Sequence, residues 1–285
     1  MVAFDVRDVE YPEYSNRQLA AIPLAVLALA LLVLVGWYAM TGAPVTPGIA
    51  FTGGTEIQVS TVGSDVAIDD AFSLEPESTR QVRGEASYVV TFQSTDTDAI
   101  RESAEQAGYT VESVQGTSAS FSAETQQLGL LGLGAAFVGM ALLVFGMFRT
   151  FVPSVAVVLS AFSDIAIPLA LMNLTGIKLS LGTVAALLML IGYSVDSDIL
   201  LNNHILRRRG DFYESTYRAM RTGITMTLTS ISAMTVMAIV ATYFAIPLLP
   251  DIGIVLVFGL TADLMNTYLM NVSLLRWYKY EGIAR

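Results

Sequence analysis

Six stretches of mainly apolar residues recur along the chain, and polar residues separate each stretch from the next. A helix needs about 20 apolar residues to cross a bilayer core about 30 Å thick, because each residue advances an α-helix by about 1.5 Å. Each stretch is long enough, so the pattern predicts six membrane-spanning helices. The predicted spans are 19–40, 128–148, 151–172, 180–206, 224–246 and 252–275.

Between the first two predicted spans lies one long hydrophilic stretch, residues 41–127. Residues 49–59 and 87–92 are rich in β-branched and aromatic residues, which is typical of strands. Residues 97–108 have the pattern of a helix, and residues 111–114 are predicted to pair as a further strand. The stretch is therefore predicted to fold as a small α+β domain, and a four-stranded ferredoxin-like arrangement is one version of it.

The composition agrees with a membrane protein, because 54% of the residues are hydrophobic, 14% are charged and the mean hydropathy is +0.59. Outside the hydrophilic stretch, the chain divides into an amino-terminal segment (1–18), the first span (19–40), the region of the other five spans (128–276) and a tail (277–285). The polar and aromatic residues 207–221 before the fifth span are predicted to form a short helix on the membrane surface.

The chain contains no cysteine, so it has neither a disulfide nor a thiolate metal site. It also lacks a G-x-x-x-x-G-K-(S/T) element, and its predicted cytoplasmic loops are short, which argues against nucleotide-driven transport. We therefore expect a protein that is not an enzyme, that uses no metal or other cofactor, and that does not bind nucleic acid.

The positions of lysine and arginine predict the orientation, because cytoplasmic loops near spans are enriched in these residues. With the amino terminus inside, 11 of the 15 basic residues lie on the cytoplasmic side. Both termini are therefore predicted to be cytoplasmic, in a multi-pass cell membrane protein with residues 41–127 outside. The inside set is Arg7, Arg17, Arg149, Arg207, Arg208, Arg209, Arg218, Arg221, Arg276, Lys279 and Arg285, and the outside set is Arg80, Arg83, Arg101 and Lys178.

The hydrophilic stretch 41–127 is strongly acidic, with 13 acidic and 3 basic residues and a net charge of −10. One interpretation is an environment of high salt, where dense carboxylates keep a surface hydrated and salt screens their repulsion. The other is an acidic patch that binds basic partners. The acidic residues are scattered rather than gathered in one block, which favours the first interpretation.

Four aspartates fall inside the predicted spans, namely Asp164, Asp196, Asp198 and Asp263. A carboxylate near the centre of a spanning helix costs about 2.5 to 3.5 kcal/mol, so such residues usually face the interior of a bundle. Burial also favours the protonated form of a carboxyl group, which suits it to carry protons. The alternative is a structural role at an interface or between helices, and it stays open for Asp164 and Asp263.

Asp196 and Asp198 lie two residues apart, which on an α-helix is a rotation of about 200°. They therefore point to nearly opposite faces and are not expected to serve one site as equals. Asn203 shares the face of Asp196, and Ser194 shares the face of Asp198. One face is expected to line a polar pathway while the other packs against neighbouring helices.

The fourth predicted span carries a motif that resembles the SecD/SecF family of protein-export membrane proteins. The stretch Gly192-Tyr193-Ser194-Val195-Asp196-Ser197-Asp198 is similar to the family pattern G-Y-S-(I/V)-N-D-(T/S). Ser197 stands at the position of the family aspartate, and Asp196 and Asp198 stand on either side of it. This arrangement resembles archaeal members.

Two further motifs support the resemblance. Phe51-Thr52-Gly53-Gly54-Thr55 is similar to the D-F-x-G-G-T element that opens the first outside domain in the family, with Ala50 in place of the aspartate. Arg221-Thr222 resembles the Arg-Thr that begins the fifth span. It is followed by the Thr/Ser-rich positions Thr225, Thr227, Thr229 and Ser230.

The resemblance covers nearly the whole chain and carries expectations about fold and function. It implies an α-helical membrane protein with six transmembrane helices, half of a resistance-nodulation-division type transporter, plus a small α+β extracytoplasmic domain. The implied partners are SecD in a heteromeric complex, the Sec channel, a translocating polypeptide and membrane lipid. The implied function is that of an accessory subunit of the Sec protein translocase, which promotes protein export and is coupled to the proton gradient.

The resemblance also implies a proton relay, with Asp196 and Asp198 as acceptors and Arg221 as the cation that stabilises their charged forms. Ser197, Asp263 and Asp164 are further candidates. Two other functions stay open, a structural scaffold for SecD that transports no ion and a small-molecule exporter of the same superfamily. The chain has one six-span half where such an exporter has two, and a scaffold would tolerate amidation of the acids.

Overall fold

A computed structural model describes residues 11–62, 67–68, 71–82, 86–207, 211–244, 246 and 248–281. The first ten residues of the predicted segment 1–18 and residues 282–285 of the predicted tail lie outside the described residues. Arg7, Arg83, Arg208, Arg209 and Arg285 from the count of basic residues also lie outside them.

Six helices in the described part of the chain are long and apolar enough to span a membrane, which confirms the predicted number. The helices are α1 (Asn16–Thr41), α2 (Ile49–Thr52), α3 (Thr97–Gln106), α4 (Ala119–Phe148), α5 (Phe151–Thr175), α6 (Leu181–Arg207), α7 (Phe212–Tyr243), α8 (Leu249–Met265) and α9 (Val272–Tyr280). The spans are α1, α4, α5, α6, α7 and the combined α8 and α9. All but α2 and α3 therefore belong to the membrane bundle.

Burial divides the spans into an inner and an outer group. The most apolar windows of α5, α6 and the last span are buried by 61%, 50% and 56%, whereas those of α1, α4 and α7 are buried by 22%, 11% and 17%. Helices α5, α6 and α8 therefore form the centre of the bundle, and α1, α4 and α7 leave most of their apolar surface uncovered.

The prediction of a separate surface helix over 207–221 is wrong, because α7 runs without a break from Phe212 to Tyr243. Asp211 caps its start by accepting a hydrogen bond from Tyr213 N at 3.1 Å. Phe212, Ala219 and Met220 are buried on one face of this first part of the helix. The helical periodicity therefore begins well before the apolar stretch that defines the predicted span.

The last span contains a π-helical turn, Asn266–Asn271, between α8 and α9. In this turn the amide of Val272 donates to Thr267 O, five residues back, and also to Leu269 O. Such turns are rare and are frequent at functional sites, because they change which side chains share a face. Hydropathy alone predicts a continuous helix here.

The α+β domain contains a four-stranded antiparallel sheet in the order β2-β3-β1-β4. The strands are β1 (Gly54–Ser60), β2 (Ser78–Val82), β3 (Ser87–Phe92) and β4 (Thr110–Thr117). Two central strands, β1 and β3, carry the buried side chains Ile57, Val90 and Phe92, which pack with Ile100 and Ala104 of α3. This strand order is that of the predicted ferredoxin-like arrangement.

Two details of the domain differ from the prediction. The predicted strand 49–59 begins as the short helix α2, and only its later part forms β1. Strand β2 was not predicted, because four of its five residues are exposed and only Val82 is buried. A strand at the edge of a sheet with so little apolar surface has no alternating pattern to detect.

The Gly-Gly-Thr motif makes the bend between α2 and β1. Gly53 has φ 80° at the end of α2, and Gly54 has φ 148°. A side chain at Gly54 would also overlap the carbonyl oxygen of Phe92. Phe51 is buried, and Thr55 Oγ1 donates to Ser94 O at 2.8 Å. The motif therefore fixes where the domain joins the bundle.

A second connection, here called the connector clamp, joins residues 44–48 to the α5–α6 turn. Gly48 N donates to Leu179 O at 2.8 Å, and Leu179 N donates to Thr46 O at 2.8 Å. At the end of α5, Asn173 Nδ2 donates to Pro44 O at 2.8 Å. The clamp therefore ties the chain that enters the α+β domain to the ends of α5 and α6.

Candidate functional site

Three aspartates lie together in the centre of the bundle, one on each of the three inner helices. Asp164 on α5, Asp198 on α6 and Asp263 on α8 are 1%, 0% and 1% exposed. A buried carboxyl group needs hydrogen bonds or a proton, because an isolated charge is costly in a medium of low dielectric constant. Each of the three has polar partners from a neighbouring helix.

Asp164 is held by two short hydrogen bonds. Ser194 Oγ on α6 donates to Asp164 Oδ2 at 2.6 Å, and Asn266 Nδ2 in the π-helical turn donates to Asp164 Oδ1 at 2.6 Å. Both oxygens of this carboxyl group are therefore satisfied from two different helices.

Asp198 is satisfied on one oxygen only. Thr267 Oγ1 and Asn271 Nδ2 both donate to Asp198 Oδ1 at 2.8 Å. Within the described part of the chain, Asp198 Oδ2 has no hydrogen-bond partner. Ser160 on α5 lies beside the carboxyl groups of both Asp164 and Asp198. The hydrogen bonds that Asp198 accepts from the last span are therefore concentrated on Oδ1.

Asp263 shares its partners with the other residues of the cluster. Ser197 Oγ lies 2.8 Å and 3.0 Å from its two oxygens, and Thr267 Oγ1 lies 3.2 Å from Asp263 Oδ1. Ser197 Oγ also lies 2.9 Å from the carbonyl oxygen of Ser194. The hydroxyl groups of Ser197 and Thr267 thus each face more acceptors than one proton can serve.

The number of protons limits how these contacts form. A hydroxyl group donates one hydrogen bond and accepts others. If Thr267 donates to Asp198, its contact with Asp263 is favourable only when Asp263 carries a proton and donates to Thr267. The three residues then form a continuous hydrogen-bonded chain from Asp263 through Thr267 to Asp198. The same chain reverses direction when the proton moves.

The π-helical turn supplies three of the polar partners, Asn266, Thr267 and Asn271. All three side chains are fully buried. Asp263, Thr267 and Asn271 follow each other at intervals of four residues, so they share one side of the last span. This spacing is the signal in the sequence that identifies the partners of the aspartates.

A cavity of about 370 Å³ leads from the surface of the bundle to this cluster. Asp196 and Asn203 of α6 line it, and Ser197 and Asp263 are reached at its inner side. Asp196 is exposed while Asp198 is fully buried, which agrees with the opposite faces expected from their spacing. Asn203 lies with Asp196, and Ser194 lies with the buried cluster, also as expected.

The wall of this cavity contributed by α7 is closely packed. A side chain added at Gly223 would overlap the hydroxyl of Tyr268, the residue that follows Thr267. Helix α7 therefore packs closely on the side chain of Tyr268, which would have to move for any larger residue at position 223.

The predicted site residues fall into four places. Asp164, Asp198, Asp263 and Ser197 belong to the buried cluster or contact it, and Asp196 lies at the cavity. Arg221 is exposed near the start of α7. The residues of the fourth group lie apart from the cluster, at the base of the α+β domain, and are Phe51, Gly53, Gly54 and Thr55.

No group of three or more His, Asp or Glu side chains in the described ranges is arranged to hold a metal ion. The chemistry that the cluster supports is the uptake, transfer and release of protons between carboxyl groups, with hydroxyl groups as links.

Comparison with known families places the chain among protein-export proteins. The model for "Protein export membrane protein SecD/SecF, C-terminal" matches residues 97–281. Proteins named protein-export membrane protein SecF are 67% identical in Haloferax volcanii and 66% identical in Haloquadratum walsbyi, and each match covers 100% of both chains. A SecF from Pyrococcus furiosus is 38% identical over 95% of this chain.

A solved structure has the same fold. The crystal structure of SecDF from Thermus thermophilus, described as a translocon-associated membrane protein, matches with a TM-score of 0.71 and 19% sequence identity. The match covers 98% of this chain and 40% of the SecDF chain, so this chain corresponds to less than half of that protein.

Proposed function

Because the chain belongs to the SecF family of protein-export membrane proteins, we propose that it works with SecD and that protons passing through its buried aspartates drive protein export. Membership of the family makes the chain a membrane-embedded accessory subunit of the Sec export pathway. The observation that supports proton coupling is the chain of shared hydrogen bonds that links Asp263, Thr267 and Asp198.

Protons reach the cluster through the cavity. Asp196 takes up a proton at the cavity, and Ser197 passes it to Asp263, with which it shares hydrogen bonds of 2.8 and 3.0 Å. Thr267 then accepts this proton from Asp263 and donates its own to Asp198. Arg221, exposed near the start of α7, is assigned the stabilisation of the charged carboxyl groups from its match to the Arg-Thr motif of the family.

Protonation changes the packing of α5, α6 and α8, because it changes the hydrogen bonds of the aspartates. A neutral carboxyl group donates one hydrogen bond, whereas a carboxylate can only accept them. Asn173 and Asp164 lie nine residues apart on α5, so about 13.5 Å of continuous helix joins the cluster to the connector clamp. Helix α6 begins at Leu181, two residues after the clamp residue Leu179. A shift of α5 or α6 therefore moves the chain that leads into the α+β domain.

An exposed polar surface on a membrane span supports the proposed partnership with SecD. Asp196 is exposed on a span, where a charged side chain facing lipid costs about 2.5 to 3.5 kcal/mol. A protein partner at this face covers the carboxylate and closes the cavity. The other half of a transporter of the SecDF type is a partner of the required kind, since this chain matches only 40% of the SecDF structure.

The proposal also keeps the orientation that the basic residues predict, with both termini in the cytoplasm and the α+β domain outside. The acidic domain then contacts the emerging polypeptide, and movement of the domain biases the polypeptide toward the outside. The high density of acidic residues on this outside domain suits a medium of high salt, which screens their repulsion.

Secretion of an unfolded-precursor reporter tests the proposal in cells whose only copy carries Asp198→Asn or Asp263→Asn. Asp98→Asn, on the exposed side of α3, is the matched control. We expect each buried amide to reduce export at least tenfold while membrane abundance and co-purification with SecD are unchanged, because an amide cannot carry the proton. Normal export by the variant with both buried substitutions would contradict proton coupling and favour the scaffold function.

A further inference from the structure

A short helical turn just before α1 contacts the π-helical turn of the functional site. Tyr11–Glu13 forms a short 3-10 helix ahead of α1, and the side chain of Tyr11 is fully buried although it precedes the first span. Its ring packs in a cluster that includes Met220 of α7 and Tyr268 of the π-helical turn. A tyrosine so completely buried outside the spans indicates a specific contact.

That contact is made to the backbone of the π-helical turn. Tyr11 Oη donates to Tyr268 O at 2.9 Å. In a regular α-helix the amide of Val272 would bond to this carbonyl, but here it donates to Thr267 O and Leu269 O. The hydroxyl of Tyr11 therefore donates to a carbonyl group that does not receive the hydrogen bond of Val272 in the π-helical turn.

The segment around Tyr11 is fixed from a second direction. Arg276 of α9 donates through Nη1 to Tyr11 O at 3.0 Å and to Tyr14 O at 2.8 Å. Burial, together with the nearby Tyr217, raises the pKa of Tyr11, so its hydroxyl stays protonated and remains a donor. The segment around Tyr11 is therefore bound to the last span at two points, Tyr268 in the π-helical turn and Arg276 in α9.

The position of Tyr268 connects this contact to the aspartates. Tyr268 follows Thr267, whose hydroxyl lies between Asp198 and Asp263. The side chain of Tyr268 is enclosed against Gly223 of α7. Its backbone carbonyl and its side chain are thus held from two sides, and little freedom remains for the neighbouring Thr267.

We infer that Tyr11 is a positioning residue for the carboxyl cluster, because its hydroxyl stabilises the π-helical turn that presents Asn266, Thr267 and Asn271 to Asp164 and Asp198. The inference rests on the proposed function for its consequence in export, and on the hydrogen bonds alone for its effect on the turn. It gives the amino-terminal segment a role inside the functional site.

Hydrogen exchange of the purified full-length chain in nanodiscs tests the effect on the turn. Tyr11→Phe removes only the hydroxyl and keeps the ring, whereas the control Tyr14→Phe makes the same change on a side chain that is 47% exposed. We expect amides at 266–273 to exchange about fivefold to tenfold faster in Tyr11→Phe, the effect of losing one net hydrogen bond. Tyr14→Phe should match the unmodified chain.

Infrared spectroscopy adds a readout that a purely structural contact would not change. The carbonyl band of the protonated buried carboxyl groups, assigned by its loss in Asp198→Asn and Asp263→Asn, should shift in Tyr11→Phe and not in Tyr14→Phe. Arg276→Gln, which loosens the same segment from α9, should reproduce both changes.

Unchanged exchange at 266–273 in Tyr11→Phe would overturn the inference, and so would a carbonyl band that stays in place. Equal changes in Tyr14→Phe would also overturn it, because the hydroxyl of Tyr11 would then not be the cause. Both measurements read the turn and the carboxyl groups without export, so their outcome is distinct from that of the secretion assay for proton coupling.

Discussion

At the scale of single residues, Thr267 links two of the three buried carboxyl groups. Its one hydroxyl lies 2.8 Å from an oxygen of Asp198 and 3.2 Å from an oxygen of Asp263. A residue that accepts from one carboxyl group and donates to the other transfers a proton without being charged itself. This is the step in the proposed relay where a hydroxyl group cannot be replaced by an apolar group of the same shape.

Replacement of Thr267 tests this step. Thr267→Val keeps the shape but removes the hydroxyl that links the two carboxyl groups, at a cost of about 1 kcal/mol for a lost hydrogen bond. Asn271 still donates to Asp198, and Ser197 still donates to Asp263. We expect export per molecule to fall at least tenfold, while Thr267→Ser keeps the hydroxyl and most of the activity. The measurement is reporter secretion divided by the amount of membrane-inserted protein. If the valine and serine variants secrete equally, the hydroxyl has no part in the relay.

The sequence predicted these residues unevenly. The spacing of Asp196 and Asp198 was sufficient to place them on opposite faces, because an α-helix fixes the rotation between neighbours. That Asp164 and Asp263 meet Asp198 depends on how α5, α6 and α8 pack, and this is information that a single chain pattern does not contain. Asn266 and Thr267 were missed because uncharged polar residues were considered only in the fourth and fifth spans.

At the scale of elements, the connector clamp is the structural link between the bundle and the α+β domain, and in the proposed function it transmits movement between them. It uses backbone hydrogen bonds at Gly48 and Leu179 and the side chain of Asn173, which both donates to Pro44 O and accepts from Thr46 N at 3.3 Å. An ion pair between Lys178 and Glu77 adds a contact from the same α5–α6 turn to the domain.

Asn173→Ala tests whether the connector clamp is needed for export. The substitution removes two hydrogen bonds worth about 1 kcal/mol each, so residues 44–48 should exchange amide hydrogens faster and export should fall severalfold. Leu174→Ala, at a neighbouring side chain that is 65% exposed, is the control. Hydrogen exchange and reporter secretion are measured on both variants. Faster exchange with full export would show that the clamp does not transmit the movement.

Regular elements were predicted well and irregular ones were not. Hydropathy and length identify the six spans, because lipid demands about 20 apolar residues for each helix. The π-helical turn Asn266–Asn271 is more polar than α8, but hydropathy averaged over a whole span does not detect a single turn. The first turns of α7 were predicted as a separate surface helix because they are polar, and their continuity with the fifth span was missed.

At the scale of the whole molecule, an acidic domain is joined to an apolar bundle. Residues 41–127 have a net charge of −10, equal to that of the entire chain, so the remainder is balanced. Like charges spread over a small domain repel each other, and salt weakens that repulsion. The stability of the domain should therefore depend on salt far more than that of the bundle.

Proteolysis at different salt concentrations tests this dependence. Raising KCl from about 0.1 M to 1 M shortens the Debye length from about 10 Å to 3 Å, so the domain should become severalfold more resistant to cleavage. A variant with Glu75→Gln, Asp98→Asn and Glu102→Gln should depend less on salt. The measurement is the rate of cleavage between 41 and 127 in the full-length chain. An identical salt dependence in both proteins would rule out repulsion between these carboxylates as the cause.

The π-helical turn also bears on how the last span tolerates insertion and deletion. A π-helical turn holds one residue more than an α-helix of the same register, so it is equivalent to a single inserted residue. Deleting one residue within 268–270 would leave α8 and α9 with their present faces while the turn rewinds as an α-helix. Such a chain would keep its six spans and lose the arrangement of Asn266, Thr267 and Asn271. The length of this one segment, rather than its hydropathy, thus decides whether Asn266, Thr267 and Asn271 reach the buried carboxyl groups.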